Sequence, residues 1–252
     1  PSSYAGVGWT TRTETWTAAN LPIPAGSTIE AALLYISYNW DTTSDGNPNI
    51  AATFNGQPLT LGTPYTDVKN FAPWGNYIYG LYPAIDVKNN FTANADNSLV
   101  MTPQTGNSNA LYPSTLIVVY SNGNDTHKQI FLNEDADELL PRDVYGVSVA
   151  EATAYAPFSG MTIDTANVTK ASLYSFAGSA GTNEGNLLWN GVTKASNAWQ
   201  GSGSTASPFV YDFPSPTTDL KATGNEAGVQ GTQSGGMLAI QQMLFVNYTA
   251  SA

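Results

Sequence analysis

The sequence predicts an all-β chain built as two tandem antiparallel β-sandwich domains, jelly-roll-like in form. Three observations carry that expectation: the composition, a succession of short apolar runs punctuated by turn residues, and an internal repeat. Of the 252 residues, 42% are hydrophobic and 12% aromatic, with 23 Gly and 15 Pro. β-Branched and aromatic residues suit a pleated, half-buried surface, and Gly, Pro and Asn suit the turns between. So large an apolar fraction excludes a disordered chain.

The strand signals run in order along the chain. Residues 31–40, AALLYISYNW, are rich in β-formers and end at the turn-forming DTTSDGNPN. Residues 50–54 form a short β-prone run, Asn55-Gly56 makes a hairpin turn, and residues 59–61 return. Tyr77, Tyr79 and Leu81 alternate with Ile78 and Gly80. Residues 116–120, LIVVY, read as a buried strand, and KQIFL at 128–132 reads as its partner after a polar turn. Helix signals are scarce; the best is about one turn at 137–140.

The repeat sets the domain organisation. Trp16 lies over Tyr155, Ile29 over Val168, Leu34 over Leu173 and Tyr35 over Tyr174 at a constant offset. Phe54-Asn55-Gly56 then matches Trp189-Asn190-Gly191, Asp86-Val87 matches Asp219-Leu220, and residues 116–120 match 244–248, LFVNY. Two homologous domains follow, residues 1–140 and 141–252, with Pro141 at the boundary breaking any element that runs through it. On this reading the first domain supplies KQIFL to its own sheet. The second ends soon after Tyr248 and leaves Leu244, Phe245, Val246, Asn247 and Tyr248 as an open assembly edge. The segment 2–16 of a neighbouring copy is one candidate donor strand; the equal alternative is that a strand of the same chain, such as 144–149, covers the edge.

The segments AALLYISYNW, ATFNG, WGNYIYGLYPAIDV, STLIVVY, KQIFLNEDADELL and LLWNG, in this order, resemble a domain family of unknown function that recurs in surface proteins of methanogenic archaea. The resemblance implies an exported, β-rich cell-surface protein and no activity.

Charge and residue types exclude several functions. Charged residues are only 11% of the chain, 19 acidic against 8 basic, giving a net charge of −11. Nucleic acid is therefore not an expected partner, because phosphate binding needs clustered Lys and Arg. There is no Cys and a single His, His127. Disulfides, thiol chemistry and Cys-based metal sites are excluded, a single His argues against a His-based site within one chain, and His127 reads as an exposed turn residue. No run approaches the 18 apolar residues of a transmembrane helix.

Candidate sites are few. Glu134, Asp135 and Asp137 form an acidic run suited to calcium, a hard cation that takes carboxylate oxygens. Asp45, Asn47 and Asn49 match the first ligand positions of a calcium loop, but Ile50 and Gly56 stand where Gly and Glu are needed. Trp74, Tyr77, Tyr79 and Tyr82 form an aromatic strip able to stack on sugar rings. Asn124 and Asn90 head glycosylation sequons. No catalytic constellation and no organic cofactor are expected. The function expected is a non-enzymatic extracellular structural protein, a subunit that assembles with copies of itself into a surface layer, sheath or filament. The alternative is a secreted carbohydrate-binding module.

Overall fold

The computed structural model describes residues 4–42, 46–70, 76–104, 108–141, 146–232 and 236–249. The chain divides into two compact units, Pro1–Asn124 and Asp125–Ala252. The first holds β1 (Arg12–Trp16), β2 (Thr28–Tyr35), β3 (Ser37–Thr42), β4 (Ile50–Phe54), β5 (Gln57–Pro58), β6 (Tyr65–Asn70), β7 (Asn76–Leu81), β8 (Ile85–Asp86), β9 (Asn97–Pro103), β10 (Ala110–Leu111) and β11 (Thr115–Ser121). The second holds β12 (Lys128–Leu139), β13 (Thr153–Phe158), β14 (Val168–Gly178), β15 (Gly185–Trp189), β16 (Val192–Ala195), β17 (Ala206–Asp212), β18 (Asn225–Gly231) and β19 (Met237–Tyr248). Helix among the described residues is confined to a 3-10 turn, Lys88–Asn90, and α1, Pro216–Asp219.

The all-β class stands, but the expected pair of jelly-roll-like sandwiches is corrected. Two sandwiches would be four sheets. Among the described residues the strands form five small antiparallel sheets, with orders β1-β9-β4-β5, β10-β3-β7-β6 and β11-β2-β8 in the first unit, and β12-β19-β14-β17 and β13-β18-β15-β16 in the second. The physical reason lies at Ile36. The run AALLYISYNW, read as one strand, breaks there into β2 and β3, which pair in different sheets. Its partner run breaks likewise into β10 and β11.

Three further expectations change. The one-turn helix at 137–140 is instead strand, because β12 continues to Leu139 with a bulge between Glu134 and Asp137. The unit boundary falls after Asn124 rather than near Pro141. KQIFL therefore belongs to the second unit, where Phe131 pairs with Leu244 and Lys128 with Asn247. On the other side of β19, Leu244 pairs with Leu173 and Tyr248 with Val168. Leu244, Phe245, Val246, Asn247 and Tyr248 thus lie in a central strand with a neighbour on each side, so the expected assembly edge is not there.

The repeat itself is visible in the registers. Leu116 pairs with Leu34 as Leu244 pairs with Leu173, and Tyr120 pairs with Ile29 as Tyr248 pairs with Val168. Two matches move. Trp16 pairs with Asn97 and packs on Phe54, whereas Phe158 pairs with Asn225 and packs on Trp189. Trp16 therefore corresponds to Phe158, not Tyr155. Asp86 pairs with Leu33 as Asp212 pairs with Ser172, so Asp212 takes the place given to Asp219.

Each unit has its own core. Leu34, Ile36, Tyr38, Phe54, Leu99 and Met101 anchor the first, and Leu173, Leu187, Trp189, Trp199, Val229 and Leu244 the second. At the hairpins, φ is 49° and 78° at Asn55 and Gly56, and 50° and 79° at Asn190 and Gly191. Left-handed φ at both central residues is the tight turn whose twist matches the flanking strands. A Cβ built on either glycine meets nothing within 4 Å, so a side chain there is opposed by backbone strain alone. Gly56→Val and Gly191→Val are each expected to cost roughly 1 kcal/mol or more, read as a lower denaturant midpoint. Wild-type midpoints in both would refute the turn assignment.

Candidate functional site

In the second unit, a cavity of about 210 Å³ lies beside β12 and β13. The register shows which side chains face it. Phe131 and Leu244 are paired core residues, and two residues on, Asn133 pairs with Gln242 on the same face. Beyond the bulge, Asp137 pairs with the core residue Ala239. Ala154 and Ala156 of β13 and Val229 of β18 complete an inner wall of small side chains, while Glu134, Asp135 and Tyr155 also line the space. Tyr155 is 57% exposed and Gln242 only 3%.

The polar groups here are mostly acceptors. Asn133 donates its Nδ2 to Pro157 O at 2.7 Å, and Gln242 donates Nε2 to Phe176 O at 3.4 Å. Gln242 Oε1 is buried with no hydrogen-bond partner. A buried acceptor left unmade costs its full desolvation, so it favours an occupant that donates. Glu134, Asp135 and Asp137 add three carboxylates, and no described lining residue is basic.

The predicted site residues fare differently. Glu134, Asp135 and Asp137 do come to one cavity, but among the described residues no three acidic or histidine side chains converge as a metal site requires. Asn124 is exposed in a turn, its N–H bonded to Asn122 Oδ1. Asn90 is half-buried in the 3-10 turn, with its carbonyl accepting from Asn55 Nδ2 at 2.7 Å. Asp45 and Trp74 lie outside the described residues. Asn47 and Asn49 line a separate cleft of about 370 Å³ with Tyr82. The aromatic strip is largely core: Tyr79 is 2% and Tyr82 3% exposed. His127 is exposed and stacks on Tyr248, 5.1 Å between ring centroids.

A family described as "Protein of unknown function (DUF3344)" matches residues 1–247. The chain belongs to that family. No curated protein matches. Among solved structures, BpGH86A, a beta-porphyranase of glycoside hydrolase family 86 from the human gut bacterium Bacteroides plebeius, is 11% identical. The match covers 96% of this chain and 37% of the enzyme, at a TM-score of 0.36. DUF3344 membership agrees with the resemblance to a family of unknown function and assigns no chemistry. No helix among the described residues is long and apolar enough to cross a membrane.

Sequence reasoning missed Gln242, Asn133 and Trp40. The first two sit in strands with nothing in their spacing to mark them. Trp40 is 37% exposed at φ 53°, edge-on to Tyr77 with centroids 5.0 Å apart. A bulky side chain at positive φ is an outlier, here placed where the pairing of β3 with β7 slips between Tyr38 and Asp41.

Burial raises the Tyr82 phenol well above its ordinary value, and Asp41 adds to the effect; burial does the same for Tyr38, with Tyr82 and Asp41 assisting. A raised folded value means that the neutral phenols contribute stability in full below about pH 10, lost as pH climbs past the unfolded tyrosine value. Tyr82 also donates to Pro48 O at 2.5 Å. Tyr82→Phe is expected to cost about 1 kcal/mol at neutral pH and to flatten the alkaline decline. Melting curves between neutral pH and pH about 11 test both parts.

Proposed function

We propose that this chain is a non-enzymatic structural protein of a cell surface, joining copies of itself into a layer, sheath or filament. The supporting observation is the edge of β11. The repeat makes β11 the counterpart of the outer half of β19, and β19 carries β12 along its length. Beside β11 stands β2 on one side and, among the described residues, no strand on the other. Near that edge, Ala5 makes an isolated bridge to Leu111, where the second unit has Asp137 opposite Ala239. The slot that β12 fills in one unit thus holds no strand along β11 in the other, among the described residues.

The open strand reads TLIVVYS, without charge or proline, and Tyr120 in it is 36% exposed. Such an edge presents unpaired N–H and C=O groups to an incoming strand. A neighbouring copy that donates one forms a head-to-tail contact, which grows into a filament or sheet when it does not close. The low charge works in the same direction, since a surface poor in long charged side chains loses less side-chain entropy and solvation on packing. The archaeal, exported setting implied by the resemblance, with Asn124 as the exposed glycan acceptor, belongs to this reading.

A lysine at Val119 places a charge on the edge while leaving the core-facing Leu116 and Val118 intact. Wild type is expected to sediment as concentration-dependent oligomers and Val119→Lys as a monomer, both with cooperative melts. Equal association of both forms would defeat the proposal. So would a wild-type chain that stays monomeric from micromolar to millimolar, as a longer chain supplying its own strand would.

A further inference from the structure

The two units fill one position differently, and the difference leaves a cavity. In the first unit, Arg12 Nε and Glu14 Oε1 are 2.6 Å apart on β1, with side chains 11% and 2% exposed. The registers fix their counterparts in the second unit. Arg12 pairs with Met101 as Ala154 pairs with Val229, so Ala154 replaces Arg12, Ala156 replaces Glu14 and Val229 replaces Met101. Leu111, opposite Tyr38, becomes Ala239, opposite Ala177. Long side chains thus give way to alanine and valine, and these four replacements line the 210 Å³ cavity.

Glu134 and Asp137 already carry interactions of their own. The polar groups left to an occupant are neutral. Gln242, 3% exposed, holds its Oε1 without a hydrogen-bond partner among the described residues. Asn133, whose Nδ2 goes to Pro157 O, keeps Oδ1 as a second acceptor. A donor comes from the backbone. Pro157 O points at Asn133 and away from β18, and Tyr155, two residues earlier on the same edge strand, turns its N–H and C=O the same way. The Tyr155 ring stands at the rim, 57% exposed.

We infer that this cavity binds one ring of a neutral sugar. A hydroxyl or hydroxymethyl enters and donates to Gln242 Oε1, the C–H face lies on the Tyr155 ring, and Ala154, Ala156 and Val229 form the apolar wall. A hydroxyl both donates and accepts, which suits neutral acceptors mixed with a backbone donor. The C–H face suits an exposed aromatic ring, apolar in body and polar at its tip. Asp135 at the rim, its Oδ1 holding the Ala136 N–H at 2.8 Å, opposes an anionic sugar. None of these residues lies on β11, so sugar binding and strand addition stand or fall separately.

The probes are the methyl glycosides of glucose, galactose, mannose and N-acetylglucosamine, titrated singly into the full chain and followed by protein NMR. Cyclohexanol and methyl glucuronide are the controls. At least one neutral glycoside is expected to bind saturably with a millimolar Kd, shifting amides of β12 and β13. Gln242→Leu exchanges an unpartnered acceptor for an apolar group, so it is expected to melt no lower than wild type and to bind about fivefold or more weakly. Tyr155→Ala, at an exposed position, is expected to weaken binding by a similar factor, and it keeps the test decisive should Gln242→Leu unfold. Ala154→Leu fills the cavity and is expected to abolish binding with a cooperative melt retained. Asp212→Asn, outside the cavity, is expected to bind as wild type. Absence of saturable binding of all four glycosides to folded wild type would overturn the inference. So would undiminished binding by folded Gln242→Leu, Tyr155→Ala or Ala154→Leu, or a control that binds as tightly as the best neutral glycoside.

Discussion

The organisation of each unit depends on a pair of asparagines, one half-buried and one buried, that ties a hairpin turn to the strand beside it. Asn55, at the left-handed turn after β4, donates Nδ2 to Asn97 Oδ1 at 2.9 Å and accepts the Ser98 N–H at 2.8 Å. Asn97, 1% exposed, returns bonds to the carbonyls of Thr92 and Ala95 and accepts the Thr92 N–H. In the second unit, Asn190 accepts the Glu226 N–H at 3.0 Å and donates to Asn225 Oδ1 at 3.4 Å. Asn225 brackets Lys221, accepting its N–H and donating to its carbonyl. An asparagine side chain carries one acceptor oxygen and two donors, so a single residue can close a loop that lacks a ladder of its own. A buried polar group is costly unless every capacity is used, and here nearly all of it is. The brace fixes where β4 meets β9 and where β15 meets β18, and with them the strands around which each core packs.

Once that frame is set, core residues vary within it. Phe54 becomes Trp189, and Trp16 on it becomes Phe158, so bulk passes from one ring to the other while the contact persists, with centroids 6.4 and 5.9 Å apart. The Arg12–Glu14 pair and its replacement by alanines show the same freedom taken further. A buried ion pair is tolerated when its geometry is good, but leaving one partner without the other is strongly destabilising. Exchange of both residues together is therefore the expected route between the two units. Removing both left volume that neighbouring strands did not close, because Ala239 and Val229 are also smaller than their counterparts.

Much of this was legible in the sequence, and the failures have identifiable causes. The all-β class, the two glycine turns and the repeat register at Leu34/Leu173 and Tyr120/Tyr248 rest on local chemistry and on spacing that the structure preserves. The sheet count failed because Ile36 continues an apolar run without a turn residue to mark the break. KQIFL was given to the wrong unit because adjacency in sequence suggested a hairpin with LIVVY, whereas its partner lies more than a hundred residues on. That choice also reversed which repeat has the open edge. Of the candidate site, the acidic run was visible and the site was not. Alternation from Phe131 puts Asp137 on the inner face, but the small residues opposite it, Ala239 on β19 and Ala154 on β13, are set by pairings the sequence does not display.

The bulge in β12 explains why strand and site share one element. Up to Glu134, β12 pairs with β19 in regular register; from Asp137 the register resumes with one extra residue on β12, opposite a β19 whose core-facing residues change from Val246 and Leu244 to Ala239 and Met237. Phe131, Asn133 and Asp137 keep one face throughout, and the extra residue is what sets Asp137 opposite Ala239, where Ala136 would otherwise stand. An inward carboxylate with an alanine wall is thus a product of register as much as of residue choice. In the first unit the corresponding stretch, among the described residues, is the bridge at Ala5, with no strand there bringing a carboxylate inward from that side. There the inward carboxylate comes from Glu14 on β1 instead, with Arg12 beside it. One difference in the length of paired strand therefore separates the units twice. Among the described residues it leaves β11 without the neighbour that β19 has, and it brings the second unit's inward carboxylate from β12 rather than from β1.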